Sequence, residues 1–377
     1  MSKTLYIAAM ALIIGLFGTY LFSFLRRVGK LCFSGVKSKY ITLCAVLSSA
    51  LLIISAAVAR GTLLLIILFI TVLGLITDLV NLIIKRIAKT MRKEPKMWKK
   101  IHSLGIIPLI ITTAVMITGY INMTNIRRTD YTVKTAKLSS DYHVAFVSDL
   151  HFGTTMDTKK LQEIADEISA ASPDMLILGG DITDESTEKS QMQEAFQILG
   201  SIKTTYGSFY VYGNHDRQSY SDRKHFTDKE LSDAMEDAGI TILNDKLYTV
   251  NDEILLIGRE DAGESGGQRK KLGELVSDTF NTSGTAGSLF RIVLDHQPIE
   301  TEEYMTYPCD LQLSGHTHNG QIWPAGYISA LSNDVLYGQE TVGSCQVIVS
   351  SGIAGWGFPI RTEGHSEWVM VTLRAQA

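Results

Sequence analysis

Four apolar runs dominate the first third of the chain, at residues 4–25, 41–59, 62–84 and 104–122, and none of them contains Lys or Arg. Each run has 19 to 23 residues, and a helix of that length, at about 1.5 Å per residue, spans the ~30 Å hydrocarbon core of a bilayer. The sequence therefore predicts a membrane region of four transmembrane helices over residues 1–125. We interpret Asp78, the acid within the third run, as reaching toward the lipid headgroups.

The charges are divided unevenly between the two halves of the chain. Residues 1–138 carry 19 Lys and Arg against 3 Asp and Glu, whereas residues 139–377 carry 16 against 36. The basic residues cluster at 26–40 and 85–103, and the positive-inside rule places both loops in the cytoplasm. With four helices, the rest of the chain is then extracytoplasmic, in a multi-pass protein of the cell membrane.

The same charge pattern narrows the predicted partners. The basic loops flank apolar runs and contain few aromatic residues, so anionic lipid headgroups are the expected partner of these loops. The acidic second half repels long polyanions, which argues against binding nucleic acid. No feature of the sequence indicates an obligate protein partner.

The second half has the pattern of an α/β domain, predicted at residues 140–377 after a linker at 126–139. Buried strands are predicted at Val144–Val147, Met175–Leu178 and Phe209–Tyr212, with helices over 158–171 and 189–201 between them. Later strands are predicted at 253–257, 289–294, 310–314, 345–350 and 367–373, and a helix near 268–277. Such alternation predicts parallel pairing in a layered α/β fold.

Five short polar motifs follow predicted strands. They are Ser148-Asp149-Leu150-His151, Gly179-Gly180-Asp181, Gly213-Asn214-His215-Asp216, Asp295-His296-Gln297-Pro298 and Gly315-His316-Thr317-His318-Asn319-Gly320-Gln321. Because ligands gather at the carboxyl ends of strands in such sheets, these side chains are expected to converge on one point. A mixed set of oxygen and nitrogen donors suits Mn, Fe or Zn.

Together, these motifs resemble those of the calcineurin-like metallophosphoesterase superfamily, over about residues 140–377. The resemblance implies a four-layer α/β/β/α sandwich with a dinuclear metal site. The motif at His316, the His-x-Pro at His296 and the segment 355–361 resemble the membrane-associated, cell-envelope branch, which is related to UDP-2,3-diacylglucosamine hydrolase-like enzymes. That branch commonly has Gly where this chain has Asn319.

The resemblance also implies roles for individual residues. It assigns one metal to Asp149, His151, Asp181 and His318, and the second to Asp181, Asn214, His296 and His316. His215 would protonate the leaving oxygen or stabilise its charge, and Asp216 would orient the imidazole. Arg361 could contact a phosphate oxygen and Trp356 could stack on a base or cover lipid, although both could equally belong to a loop that closes the sheet.

The expected function is that of a membrane-anchored phosphoesterase with two divalent metal ions. It would hydrolyse a phosphoester or pyrophosphate bond, in a lipid-linked or cell-envelope substrate, by attack of a metal-bridging hydroxide. Two alternatives remain open: a catalytically silent membrane sensor or scaffold, and a transporter with a regulatory domain. If the domain is extracytoplasmic and the strands at Cys309 and Cys345 are neighbours, a disulfide between them is conceivable.

Overall fold

A computed structural model of the protein describes residues 3–59, 61–264, 269–276, 289–307 and 309–376. The chain forms two compact units, Met1–Thr118 and Gly119–Ala377. The first unit contains the helices α1 (Lys3–Cys32), α2 (Ser38–Ala59), α3 (Thr62–Thr90) and α4 (Lys96–Ser103), and the greater part of α5 (Ile106–Thr124). The last residues of α5 belong to the second unit.

Three segments of the described residues are long and apolar enough to cross a membrane: Ser38–Ser55, Thr62–Thr90 and Ile106–Thr124. They lie in α2, α3 and α5 and correspond to the second, third and fourth predicted runs. The first predicted run, 4–25, lies in α1, but the structure does not describe the side chains of residues 1–13. The prediction of membrane spans is therefore supported for three of the four runs.

The second unit contains two mixed sheets with helices between some of their strands. The strands are β1 (Arg127–Thr135), β2 (Tyr142–Val147), β3 (Met175–Leu178), β4 (Ser208–Tyr210), β5 (Ile240–Ile242), β6 (Lys246–Val250), β7 (Ile254–Gly258), β8 (Phe290–Leu294), β9 (Leu311–Ser314), β10 (Gly338–Val342), β11 (Cys345–Val349) and β12 (Glu367–Ala375). The helices are α6 (Thr158–Ala170), α7 (Lys189–Gly200), α8 (Asp228–Asp237) and α9 (Ala325–Ser329), with 3-10 turns at Thr301–Met305 and His318–Gly320. Residues 272–276 are also helical.

The strand order explains why the polar motifs meet. One sheet has the order β1-β12-β2-β3-β4-β5 and the other β10-β11-β9-β8-β7-β6. The central strands β2, β3 and β4 are parallel, as are β7, β8 and β9. Their carboxyl ends therefore meet at one edge of each sheet, and the five motifs follow five of these strands.

The predicted parallel pairing holds for the central strands of both sheets but not for every pair of neighbouring strands. Strand β12 is antiparallel to β2, β10 is antiparallel to β11, and β6 is antiparallel to β7. Residues 127–135, which were predicted as part of a linker, form strand β1, which pairs in parallel with β12 over its whole length. An alternating strand with one half-buried face is polar enough to be mistaken for a linker.

Three apolar clusters hold the second unit together. One contains residues from the first sheet and from α6, α7 and α8, such as Leu161 and Phe196. Another contains residues from both sheets, such as Phe146 and Leu256. The third covers the second sheet with the 3-10 turn at Tyr304 and the helical residues 272–276. Burial on both faces accounts for the nearly continuous apolar sequence of β3, β7 and β8.

A disulfide joins Cys309 and Cys345. Strand β11 is the parallel neighbour of β9, so Cys345 at the start of β11 lies near Cys309, which is two residues before β9. The two strands are therefore neighbours, which was the condition for the disulfide, and the disulfide is present.

Candidate metal centre and active site

Six of the predicted ligands form two groups that could each hold a metal ion. One group is Asp149, His151 and His318, and the other is Asp181, His296 and His316; within each, the candidate donor atoms lie within 4.8 Å of one another. The seventh predicted ligand, Asn214, joins the second group, because its Oδ1 lies 2.9 Å from His316 Nδ1. The structure therefore brings together all seven side chains from five strand ends.

Asp181 lies between the two groups. Its Oδ2 is 3.1 Å from His296 Nε2 in one group and 3.9 Å from His151 Nε2 in the other. Burial opposes ionisation of this carboxyl, but the positive charge of His296 outweighs burial and lowers the pKa of Asp181. An ionised carboxylate at this position has the geometry expected of a ligand shared by two cations.

The protonation of two of the histidines, His316 and His318, also suits metal binding. Burial, followed by the charge of His296, lowers the pKa of His316 to about 4. Burial and the nearby His151 hold the pKa of His318 well below its ordinary value. Imidazoles that are neutral at physiological pH offer a lone pair to a metal without first losing a proton. His296 Nδ1 lies 2.7 Å from the carbonyl oxygen of Gly179, an arrangement that directs Nε2 toward the centre.

Buried polar atoms at the centre fit a cation. Asp149 Oδ2 is buried and, among the described residues, has no hydrogen-bond partner. His151 Nε2 and His318 Nε2 are only 3.3 Å apart, and His318 Nε2 is 3.6 Å from Asp149 Oδ1. So many electron-rich atoms at this spacing are costly to bury without a compensating positive charge. The donor set of imidazole and carboxylate suits Mn, Fe or Zn.

The backbone at the centre is strained in a way that is common at functional sites. Five of the seven predicted ligands, Asp149, His151, Asp181, His316 and His318, have φ between 43° and 68°. Left-handed conformations cost free energy for residues other than glycine and persist where the surrounding structure enforces them. Asn319 also has φ of 49°, and asparagine tolerates this conformation better than most residues. That tolerance explains how an asparagine can occupy position 319 of this turn.

Two glycines allow the loops to approach the ligands. A Cβ on Gly180 would lie 2.5 Å from the backbone nitrogen of Gly213 and 2.8 Å from His296 Nδ1. A Cβ on Gly315 would lie 2.2 Å from Asp149 Oδ2. Any side chain at either position would displace a ligand or its loop.

His215 lies beside the centre, and its carboxylate partner differs from the predicted one. Its Nδ1 is 2.8 Å from Glu185 Oε2. Burial opposes protonation of the ring, but the Glu185 carboxylate and the charge of Asp181 outweigh it and raise the pKa of His215. A protonated imidazole held in this way could donate a proton to a leaving oxygen.

The predicted role of Asp216, to orient the imidazole of His215, was wrong. The Asp216 carboxylate accepts hydrogen bonds from the backbone N–H groups of Asp181, Ile182, Thr183 and Gly213. Asp216 thereby fixes the conformation of the loop that carries Asp181, and it does not orient the ring of His215. Four N–H donors saturate the oxygens of a carboxylate, which leaves no acceptor for the imidazole.

Two aromatic side chains flank His215. The ring of Trp356 is 5.5 Å from the His215 ring and that of Tyr220 is 5.1 Å away. Both side chains are about half exposed or more, and Tyr220 Oη lies 3.4 Å from Asn214 Nδ2. The structure thus places Trp356 beside His215. Tyr220 and Glu185 were missed, because neither lies within one of the five motifs.

Of the two alternatives for Arg361, the structure favours a loop that closes the sheet over contact with a phosphate oxygen. Its side chain is completely buried. Its Nη1 donates a 2.6 Å hydrogen bond to the carbonyl of His318, and its Nη2 donates a 2.7 Å hydrogen bond to the carbonyl of Ala354. The guanidinium therefore joins the turn that carries His318 to the segment that carries Trp356, as in the alternative of a loop that closes the sheet.

We expect the variant Arg361→Met to lower the apparent melting temperature of the second unit by about 5–10 °C, because two buried carbonyls lose their donor. Scanning fluorimetry would measure the change. Arg374→Met is the matched control, since Arg374 is exposed on β12 and should shift the melting temperature by less than about 2 °C. An increase in KM with an unchanged melting temperature would instead return Arg361 to the substrate site.

Comparisons with known proteins agree with this centre. The family profile described as calcineurin-like phosphoesterase matches residues 142–320. A transmembrane protein with metallophosphoesterase domain from Danio rerio is 29% identical over 282 residues, which cover 71% of this chain and 62% of that protein. An uncharacterized metallophosphoesterase from Helicobacter pylori is 30% identical over 61% of this chain and 59% of that protein. The matches thus span about three fifths of these relatives.

Among solved structures, a dimetal phosphatase from Danio rerio is similar, with 10% identity, a TM-score of 0.38 and coverage of 56% of this chain and 87% of that chain. The matched region of the sequence begins with β2 and ends at the turn of His318, so it includes all five motifs. Residues 142–320 therefore match the model of the calcineurin-like phosphoesterase family, and the chain is similar to proteins named as metallophosphoesterases.

Proposed function

We propose that the protein is a membrane-anchored, metal-dependent phosphoesterase that hydrolyses a phosphoester or pyrophosphate bond. The observation that carries this proposal is the convergence of six other oxygen- and nitrogen-bearing side chains around the ionised Asp181. When bound, two divalent ions would neutralise phosphate oxygens and lower the pKa of a water molecule. We further infer that the unit has the four-layer α/β/β/α arrangement, which the three apolar clusters support.

The remaining side chains have distinct tasks in this proposal. Asp149, His151 and His318 would hold one ion, Asn214, His296 and His316 would hold the other, and Asp181 would serve both. His215 donates its proton to the leaving oxygen, and Glu185 holds the ring by Nδ1. Trp356 and Tyr220 form the walls against which the organic part of the substrate packs.

A lipid-linked substrate is favoured by the surroundings of the site. Four large side chains within residues 323–331, Trp323, Tyr327, Ile328 and Leu331, are more than half exposed. They follow the turn of His318 directly in sequence, and α9 packs against that turn. Exposed apolar side chains this dense mark a surface that binds another apolar body, which for a membrane protein can be the acyl chains of its substrate.

The end of a candidate span lies close to the same site. The carbonyl of Gly119 accepts a hydrogen bond from the backbone of Arg361, and the carbonyl of Asn122 accepts one from Ser366. Both acceptors lie in α5, and their donors lie in the segment that follows Trp356. The substrate is therefore expected to be anchored in the lipid surface, as in a phospholipid, a polyprenyl lipid or a nucleotide-sugar lipid.

Hydrolysis itself can be tested with the purified full-length protein, Mn²⁺ and a chromogenic phosphodiester. We expect turnover that a chelator abolishes, and a loss of at least about 100-fold in kcat for His215→Ala. The control His225→Ala changes a histidine outside the site and should retain activity. The alternative of a silent sensor or scaffold predicts that the protein binds metal but shows no turnover on monoester, diester or pyrophosphate substrates.

We infer that the second unit is extracytoplasmic. The basic loops support this orientation, and so does the disulfide between Cys309 and Cys345, since such bonds persist in oxidising compartments. Protease added to intact cells or spheroplasts should digest the second unit without lysis. Protection until lysis would reverse the orientation and direct attention to cytoplasmic substrates such as UDP-diacylglucosamine.

A further inference from the structure

A cavity in the first unit has no role in the proposed hydrolysis. It has a volume of about 750 Å³ and is bounded by α1, α3, α4 and the turn between α3 and α4. Seven Lys and Arg side chains line this basic cavity, including Arg27, Lys89 and Lys99, against the two acids Asp78 and Glu94. Its volume is typical of pockets that bind small ligands.

The polar floor of the basic cavity is built from paired groups. Asp78 Oδ1 accepts a 2.8 Å hydrogen bond from Arg27 Nη1 and lies 2.5 Å from His102 Nε2. Trp98 Nε1 donates a 3.1 Å hydrogen bond to Asn81 Oδ1, which fixes α4 against α3. Asp78 is thus paired within the protein, at the floor of the basic cavity.

The remaining cations of the basic cavity lack such partners. Within the described residues, no carboxylate lies within ion-pair distance of Lys85, Lys89 or Lys99. Lys85 and Lys89 are one turn apart on α3, where like charges repel, while Lys99 lies on α4. An anion between these walls would relieve the repulsion and neutralise charge that the protein leaves unpaired.

The position of the basic cavity indicates the source of that anion. Its lysines lie in the last turns of α3, at the end of a candidate membrane span, in the turn that follows and in α4. Trp98 is a residue type that favours the membrane–water interface, and basic pockets between membrane helices bind anionic lipid headgroups. We propose that the basic cavity binds the phosphate of an anionic phospholipid headgroup, at a site separate from the metal centre.

The proposal can be tested by fluorescence anisotropy, with a fluorescent phosphatidylglycerol as the probe and the full-length protein in neutral detergent. The variant Lys89→Gln/Lys99→Gln removes one charge from each wall and should weaken binding about tenfold or more. The matched control, Lys37→Gln/Lys39→Gln, removes two charges from the other basic loop and should weaken binding less than about twofold. The single variant Lys99→Gln should give an intermediate loss if the double variant proves unstable.

Competition distinguishes a lipid headgroup from other anions. Unlabelled phosphatidylglycerol should displace the probe, whereas phosphatidylcholine and an excess of inorganic phosphate should not. Displacement by inorganic phosphate would overturn the lipid assignment and make the ligand a soluble phosphate. An equal loss of binding in the control variant would also overturn the proposal, because it would mean that the whole basic surface attracts the probe. Absence of probe binding to the unmodified protein would refute the site itself.

Discussion

The variant Asp181→Asn is expected to lower kcat by at least about 10³-fold and to reduce the amount of divalent metal that the purified protein retains. Asparagine keeps the shape of the side chain but removes the negative charge that lies 3.1 Å from His296 Nε2 and 3.9 Å from His151 Nε2. A ligand shared by two cations contributes to both, so its loss is worth several kcal/mol of transition-state stabilisation. Steady-state kinetics and elemental analysis of the same preparation would measure both effects.

A matched control separates the loss of the Asp181 carboxylate from the loss of one negative charge elsewhere in the protein. Asp237 is exposed on α8, and Asp237→Asn should retain both activity and metal. The melting temperature of Asp181→Asn without metal should also be close to that of the unmodified protein without metal. Full activity with undiminished metal in Asp181→Asn would contradict the placement of this carboxylate at the centre of the site.

The variant Glu185→Gln is expected to lower kcat by about 10–100-fold, with a smaller change in KM. The Glu185 carboxylate holds His215 Nδ1 at 2.8 Å, and groups that orient a functional imidazole typically contribute factors of this size. Glutamine keeps a polar atom near the ring but removes the charge that favours the imidazolium. Glu185 is therefore a positioning residue, which acts through His215.

The pH profile of Glu185→Gln gives a signature that a merely structural role would not produce. The Glu185 carboxylate raises the pKa of His215 against the effect of burial, so its removal should lower that pKa. An imidazolium that donates a proton is lost as the pH rises through its pKa, so the alkaline limb of the kcat profile should move to lower pH. Glu194→Gln, on the exposed face of α7, should leave the profile unchanged. A loss of activity with an unmoved alkaline limb would contradict the role.

The candidate ligands could be predicted from the sequence because each lies next to a strand whose burial makes it easy to recognise. Strand β3 has only apolar residues and is buried throughout, and the predicted limits match it. Once three parallel strands are placed side by side, Asp149, Asp181 and Asn214 must approach one another, whatever the details of the loops. The centre is thus largely a consequence of strand order.

Residues whose roles depend on loop conformation could not be assigned in this way. Asp216 stands next to His215 in sequence, yet its side chain turns back to the loop of Asp181. Glu185 is 30 residues away from His215 and reaches its ring. Arg361 follows a Gly-rich segment that suggests a substrate loop, but its guanidinium donates hydrogen bonds to two backbone carbonyls. Periodicity carries no information about such contacts.

The elements that the sequence did not predict are short or polar. Strands β5 and β6 and strand β10 have at least one exposed side chain in every three residues, and α8 has a strongly charged surface. Edge strands need only one apolar face, so their sequences alternate over too few residues to stand out. The missing elements are therefore those that complete the margins of the sheets rather than those that carry the ligands.

The pairing of β1 with β12 has a consequence for any attempt to produce the catalytic unit without its membrane helices. A protein shortened to begin at residue 140, where the sequence places the domain boundary, would lack β1 and leave one side of β12 unpaired over nine residues. An open strand of that length is a template for pairing between molecules, and β12 is apolar along most of it. A shortened protein without the membrane helices should begin no later than residue 126, so that aggregation does not interfere with measurements of its activity.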